Sequence, residues 1–222
     1  MIELKNTVIF SDFDGTFSEK DIGHRLYKHF SGGKNLEIVN KWKKGEISSR
    51  ACLLSEAELI SLTLEELYRY LDQFPLRKGA ERFYQEVKNA QIPFYIVSDG
   101  CDLYIDYVLR RFGLSEIKYL TNRGRIENGR LILEFPYDND GCERCGTCKG
   151  VRMREILKSF PVRPRAVFIG DGLSDICALP EADLIFARGD LLRFCRQHNY
   201  EAIEYRDFFD ILKYLENLKN GI

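Results

Sequence analysis

The 222-residue chain predicts an α/β fold, a doubly wound parallel sheet with a helical cap inserted after the first strand. Three observations carry that expectation. Thr7-Val8-Ile9-Phe10-Ser11, Phe94-Tyr95-Ile96-Val97 and Ala166-Val167-Phe168-Ile169 are short apolar runs rich in β-branched residues, the pattern of strands buried on both faces. Each run stops at a polar turn: at Asp12, at Ser98-Asp99-Gly100 and at Gly170-Asp171-Gly172. Helical patterns over Gly79 to Ala90, Leu103 to Phe112 and Val151 to Phe160 alternate with the runs, as in βα units. Ligands of such sheets sit at the C-terminal ends of the strands, so these three turns are where a site is expected.

Residues 18–76 break the alternation. They are rich in helix formers, lack a strand candidate, and place Leu53, Leu54, Ala57, Leu64, Leu67, Tyr68 and Leu71 at helical spacing. The expected organisation is therefore a core made of residues 1–17 and 77–222, with a cap domain over residues 18–76. Further on, Glu127-Asn128-Gly129-Arg130 lies between β-prone residues from Arg123 to Phe135, and its Asn-Gly pair signals a hairpin. At the tail, Phe208, Ile211, Leu212, Leu215 and Leu218 fall on one helical stripe.

At 45% hydrophobic and 30% charged residues, the composition is that of a globular chain. A net charge of -1 supplies no global basic field for nucleic acid or an anionic membrane, so an anionic ligand must be held locally and the expected partner is small. The start, Met1-Ile2-Glu3-Leu4-Lys5, is charged where a signal peptide is apolar, and no apolar run reaches membrane-spanning length. This predicts a cytoplasmic protein. Oligomeric state is not legible.

Asp12-Phe13-Asp14-Gly15-Thr16 sets two carboxylates two residues apart, on one side of the chain where it leaves the first strand. Their repulsion would be relieved by a divalent cation. Asp171 and Asp175, four apart after a third strand, could converge on the same ion if a helix starts near Ser174. An all-carboxylate set without a nearby histidine favours Mg2+ over zinc. Ser98, with the backbone N–H groups of Asp99 and Gly100, and Lys149, at the start of a helix, are suited to hold a phosphoryl group.

Taken together, Asp12-Phe13-Asp14-Gly15-Thr16, Ser98, Lys149 and Gly170-Asp171-Gly172-Leu173-Ser174-Asp175 resemble, in order, the four motifs of the haloacid dehalogenase superfamily of phosphatases. The resemblance covers essentially the whole chain and implies a Rossmann-like core. It implies that Asp12 is a nucleophile forming an aspartyl-phosphate, and that Asp14 protonates the leaving oxygen and then activates water. Ser98 and Lys149 would hold the phosphoryl group. Mg2+ would be bound by Asp12, the Asp14 carbonyl and Asp171, with Asp175 in support or bridging through water. Arg50-Ala51-Cys52-Leu53-Leu54 resembles the segment of phosphoserine phosphatases whose arginine holds the substrate carboxylate, and Asp21 stands where that group usually has glutamate. A second likeness is to the methionine-salvage phosphatases acting on 2-hydroxy-3-keto-5-methylthiopentenyl-1-phosphate. It rests on Cys142-Glu143-Arg144-Cys145-Gly146-Thr147-Cys148-Lys149 and on Asp183-Leu184-Ile185-Phe186-Ala187-Arg188 followed by Leu191, Leu192 and Cys195. Both substrates stay open at this point. A phosphotransferase that passes the phosphoryl group to an alcohol shares the first half of the mechanism.

Cys142, Cys145 and Cys148 have the two-residue spacing of a thiolate metal site, three ligands where a closed zinc site needs four, with Cys101 as a candidate fourth. Reduced structural thiols or one disulfide are the competing reading. His24, His29, His198, Trp42, Tyr68 and Tyr70 read as surface or packing residues, whereas Phe17 and Asp21, which lead from the first motif into the cap, are candidates for substrate contact.

Overall fold

The computed structural model describes residues 6–219; residues 1–5 and the Leu218 side chain at the end of the C-terminal stripe lie outside the described residues. In chain order the elements are β1 (Thr7–Ser11), α1 (Ile22–Phe30), α2 (Leu36–Lys43), α3 (Ser49–Glu58), α4 (Leu64–Leu71), α5 (Ala80–Asn89), β2 (Phe94–Cys101) and α6 (Asp102–Arg111). They continue with β3 (Lys118–Glu127), β4 (Arg130–Glu134), α7 (Lys149–Lys158), β5 (Arg165–Gly170), β6 (Leu184–Ala187), α8 (Gly189–Gln197), β7 (Ile203–Glu204) and α9 (Phe208–Lys219). Two short irregular helical turns, Phe13–Phe17 and Leu173–Glu181, follow β1 and β5.

The strands form one sheet of order β4-β3-β2-β1-β5-β6-β7, parallel throughout except for β3 with β4. From β1 the chain winds one way through β2 and β3, then crosses back to wind the other way through β5 and β6. The reversal opens a crevice at the end of β1, between β2 and β5. Alternation along β1 fills both faces: Ile9 packs on the side of Phe83, Ile105 and Phe208, while Val8 and Phe10 pack with Met153, Leu157 and Leu191. Each such side chain, fully withdrawn from water, contributes about 1.5–3 kcal/mol. Strands β6 and β7 were not anticipated; they are short, and β7 spans two residues.

The expected hairpin is present. Asn128 and Gly129 both take positive φ, 50° and 78°, and Glu127 pairs with Arg130, the geometry of a two-residue turn. On β2 the expected strand end at Ser98 is instead a register shift between Val97 and Cys101, so the strand continues through Ser98-Asp99-Gly100 as a bulge.

Between β1 and β2 lie four helices, α1 to α4, before α5 returns to the sheet. The segment leaves and re-enters at one place, where Ser18 and Leu76 form an antiparallel bridge. Ala57, Leu67 and Leu71 are buried, whereas Leu54 and Leu64 of the expected apolar set are exposed. Phe17, expected as a possible substrate contact, is wholly buried against Phe13, Phe94 and Phe208 and serves packing. Arg77, also buried, donates to the carbonyls of Gly15, Thr16 and Glu19, pinning the turn after β1 to the returning chain. Deep in the inserted helices, Glu56 accepts from Asn35 Nδ2 at 2.8 Å and from the Cys52 thiol at 3.5 Å.

Two predictions follow from these buried polar groups. Arg77→Leu removes a donor from the carbonyls of Gly15, Thr16 and Glu19, of which Gly15 keeps Arg188, and urea unfolding is expected to show a loss on the order of 3 kcal/mol; a change below measurement error would refute the pinning role. For Glu56, burial is the main cause that lifts the carboxyl from the ordinary glutamate range to about 7. The folded chain then holds this proton more tightly than the unfolded chain. Its contribution to stability is complete below the ordinary glutamate pKa and is lost as pH rises through about 7. Glu56→Gln is expected to be more stable than the parent at pH 8, by on the order of 2 kcal/mol, and equal to it at pH 4. Parallel stability curves across that range would rule the buried proton out.

Candidate active site

The crevice at the reversal point opens into a cavity of about 460 Å³, with Asp12, Asp14, Ser98, Lys149 and Asp171 among its lining residues. Four segments deliver them: the end of β1, the bulge of β2, the first residue of α7 and the turn after β5.

Asp12 is buried, and its Oδ1 accepts from the Phe13 N–H at 2.7 Å and from Lys149 Nζ at 2.8 Å. Oδ2 of Asp12 accepts no hydrogen bond among the described residues. Lys149, also buried, contacts Asp175 Oδ1 and reaches Ser174 Oγ at 3.3 Å. Asp175 Oδ2 accepts the N–H groups of Asp171 and Gly172 at 2.8 and 2.9 Å, which fixes the turn after β5. Carboxylate oxygens of Asp12, Asp171 and Asp175 lie within 4.8 Å of one another. Three negative groups around one ammonium is an unbalanced arrangement. Burial, then Asp175, raises Asp12 well above the usual carboxylate range, and the same two causes bring Asp171 to about 6. Burial alone would lower the Lys149 pKa, but Asp12 and Asp175 beside it raise it well above the usual lysine value.

Asp14 points away from that trio. Its Oδ1 accepts the N–H groups of Ile22 and Gly23 at the start of α1, at 2.8 and 3.2 Å, and its Oδ2 accepts from the Tyr104 hydroxyl. Burial, then the neighbouring Asp21, lifts Asp14 to about 7, against the pull of these donors. Tyr104 was invisible to sequence reasoning. It lies on the first turn of α6, and it reaches Asp14 across Gly100, where a Cβ would stand 1.9 Å from the tyrosine oxygen.

Ser98 is buried, and its Oγ accepts the Gly100 N–H at 3.1 Å. Asp99 lines the cavity, yet its Oδ1 is engaged by the Thr147 N–H at 2.7 Å and by Asn122 Nδ2 at 3.3 Å, so it fastens the loop before α7. Burial brings Asp99 to about 6. Asp21 lines the cavity and caps α1 through the His24 N–H at 2.8 Å; His24, set aside on sequence, lines it too. Trp42 is another lining residue first read as packing, and it donates to Ser49 Oγ at 2.9 Å.

Arg50 is not among the lining residues. Helix α3 turns Ser49, Cys52, Leu53 and Glu56 inward, a stripe of helical spacing, and Arg50 falls off that stripe. It is exposed, with its guanidinium 4.5 Å from the centre of the Phe135 ring. The sulfur atoms of Cys142, Cys145 and Cys148 do converge, within 4.8 Å of one another, but Cys101 is not with them: it packs into the core beside Gly124. Cys177, after β5, packs against them instead. Among the described residues no helix is long and apolar enough to cross a membrane.

Residues 7–201 match the model of a family described as "Putative Phosphatase". The chain is 30% identical to the 2-hydroxy-3-keto-5-methylthiopentenyl-1-phosphate phosphatase of Lysinibacillus sphaericus (strain C3-41), over 95% of this chain and 94% of the relative. It is 28% identical to the protein of that name from Bacillus pumilus (strain SAFR-032), over 97% and 94% of the two chains. Among solved structures it is similar to a substrate-bound phosphoserine phosphatase complex, with a TM-score of 0.73, 23% identity and 96% and 99% of the two chains covered. A phospho-aspartyl intermediate analogue of phosphoserine phosphatase superposes with a TM-score of 0.71 at 22% identity, over 96% and 99%. The fold, the order of the acidic and basic residues around the crevice and the match along residues 7–201 therefore agree, and the chain belongs to this phosphatase family, within the haloacid dehalogenase superfamily.

Proposed function

We propose that the chain hydrolyses the phosphomonoester of a small metabolite, 2-hydroxy-3-keto-5-methylthiopentenyl-1-phosphate, with Mg2+ and through a phosphorylated Asp12. The observation that carries this reading is the state of Asp12: one oxygen is held by Lys149 and the Phe13 N–H, the other accepts nothing among the described residues, and the residue lines a cavity with Asp14 and Ser98. Asp12 Oδ2 attacks phosphorus as the bond to the leaving oxygen breaks, and Asp14 gives that oxygen its proton. Asp14 then takes a proton from water, whose oxygen attacks phosphorus, and the bond to Asp12 breaks to free the carboxylate and inorganic phosphate. A carboxyl at about 7 suits both proton transfers. Ser98 and Lys149 hold the phosphoryl oxygens. The structural neighbour solved as a phospho-aspartyl analogue supports a route of this kind.

The donor set at Asp12, Asp171 and Asp175 fits Mg2+: it is all hard oxygen, it is short of positive charge, and Asp12 and Asp171 are held toward protonation. When bound, the ion would supply Lewis-acid neutralisation of the phosphoryl charge, held by Asp12, Asp171 and the Asp14 carbonyl with Asp175 in support.

The choice of substrate rests on the cavity wall. Tyr27, Val39, Trp42, Leu53 and Leu133 line it on the side of the inserted helices, a surface suited to a methylthio tail. The arginine that a phosphoserine carboxylate would need, Arg50, lies on Phe135. Two relatives named for the methionine-salvage substrate support the same choice. Phosphoserine remains the second reading, favoured by Asp21, whose carboxylate lines the cavity and could meet an ammonium.

Activity should vanish on EDTA treatment and return with Mg2+, and Asp12→Asn should lower turnover by at least about 10³-fold while still unfolding in one cooperative transition. Phosphate release from the methionine-salvage intermediate, phosphoserine and p-nitrophenyl phosphate ranks the substrates; a preference for phosphoserine would replace the first reading with the second. Adding acceptor alcohols tests transfer against hydrolysis, and a phosphorylated alcohol as main product would make the chain a phosphotransferase. Arg50→Ala is expected to leave the ranking of the three esters unchanged.

A further inference from the structure

The cysteines before α7 are drawn together by more than their spacing. The sulfur atoms of Cys142, Cys145 and Cys148 lie within 4.8 Å of one another, and Cys177 packs against the same cluster. Cys177 comes from the turn after β5, some thirty residues further along the chain. Its approach depends on Gly150: a Cβ there would stand 2.1 Å from the Cys177 carbonyl oxygen, so only glycine lets this turn pack onto the start of α7.

The Gly150 N–H donates to the Cys177 sulfur and the Val151 N–H to that of Cys148, so two first-turn amides of α7, which have no partner within the helix, are spent on thiols. Asn139 braces the loop, donating to the carbonyls of Cys145 and Gly146 and accepting the Cys148 N–H, all at 3.0 Å. Cys145 and Cys148 are buried, and all four thiols are unpaired by disulfide.

We infer that Cys142, Cys145, Cys148 and Cys177 form a closed, structural tetrathiolate site for a soft first-row ion, Zn2+ or Fe2+. Four sulfurs from two segments are the ligand set such ions take, and they leave no open position for chemistry. On binding, the four thiols release four protons to solvent and form four metal–sulfur bonds, leaving a complex of charge −2 at the N-terminus of α7. Its place gives it work. Cys148 precedes Lys149 directly, and Cys177 follows Asp175 by two residues, so the ion would tie together the segments whose side chains form the buried Lys149–Asp175 pair. This positions Lys149 without touching substrate.

The test needs no substrate and is independent of the phosphatase reading. The full chain, purified anaerobically, is analysed for zinc and iron, then stripped, reduced and titrated with Co2+. One ion per chain and a Co2+ spectrum with thiolate charge-transfer and tetrahedral bands, saturating at one equivalent, are expected. Cys177→Ser should shift those bands and weaken Co2+ binding by about tenfold or more, and Cys142→Ser, at the exposed end of the loop, should do the same if the first variant folds poorly. Cys101→Ala should keep the parent spectrum. No thiolate band in the reduced chain overturns the site; a parent spectrum in Cys177→Ser overturns the fourth ligand.

Discussion

The arrangement turns on a buried ammonium. Lys149 is withdrawn from water and set between Asp12 and Asp175, and an isolated cation there would be expelled or neutralised. Its two carboxylate partners keep it charged, and it in turn makes their burial tolerable. Each partner must come from a different strand end, so the pair-wise geometry exists only when β1, β5 and the start of α7 are in register. The site thus sits at the winding reversal beside β1, where the connections leave the sheet in opposite directions. One ammonium does not balance Asp12, Asp171 and Asp175, and under the proposed function a divalent cation would meet that deficit.

How far the sequence could be read follows the same division. The apolar runs of β1, β2 and β5 and the turns after them were legible, because a strand buried on both faces writes itself as a continuous string and Gly and Asp mark its end. The Asn128-Gly129 turn was legible because its backbone demands those residues. What was not legible depends on contacts between distant segments. Tyr104 meets Asp14 across ninety residues, and nothing local marks that tyrosine apart from the other eleven. Cys177 joins a loop from which it is separated by an entire helix and strand, while Cys101 looked better placed because it follows a motif residue closely. Arg50 falls outside the cavity lining for a further reason. Its sequence context fits a cavity-facing arginine, but only the rotation of α3 decides which stripe faces inward, and Ser49, Cys52, Leu53 and Glu56 win that orientation by burial.

Helices α1 to α4 are fastened to the rest of the molecule at several points, each by a different chemistry. Ser18 bridges to Leu76, Tyr68 stacks on Tyr107 with 4.1 Å between ring centroids, and Arg111 donates to the carbonyls of Leu71 and Phe74. On the far side, the Leu62 N–H donates to the Gly129 carbonyl in the hairpin turn, and Ser49 at the start of α3 donates its N–H to Arg144 in the cysteine loop, at 2.8 Å. The antiparallel β3–β4 pair therefore does more than end the sheet. It rises from the edge to meet the inserted helices and contributes Leu133 to the cavity wall.

This fastening joins the two halves of the problem. The end of the cavity where phosphate would sit is fixed by backbone and buried charge, so it can be shared across a superfamily with many substrates. The opposite end is made of α1 to α3 and the hairpin, and it is held in place partly through the cysteine loop, by the Ser49–Arg144 contact. A change that loosened that loop would act in two directions at once: toward Lys149, which Cys148 immediately precedes, and toward the wall formed by Trp42 and Leu53. Loop order, charge placement and substrate fit are thereby coupled through a few residues, with Asp99 and Thr147 as the hydrogen-bonded link between the loop and β2 and Asn139 bracing the loop itself.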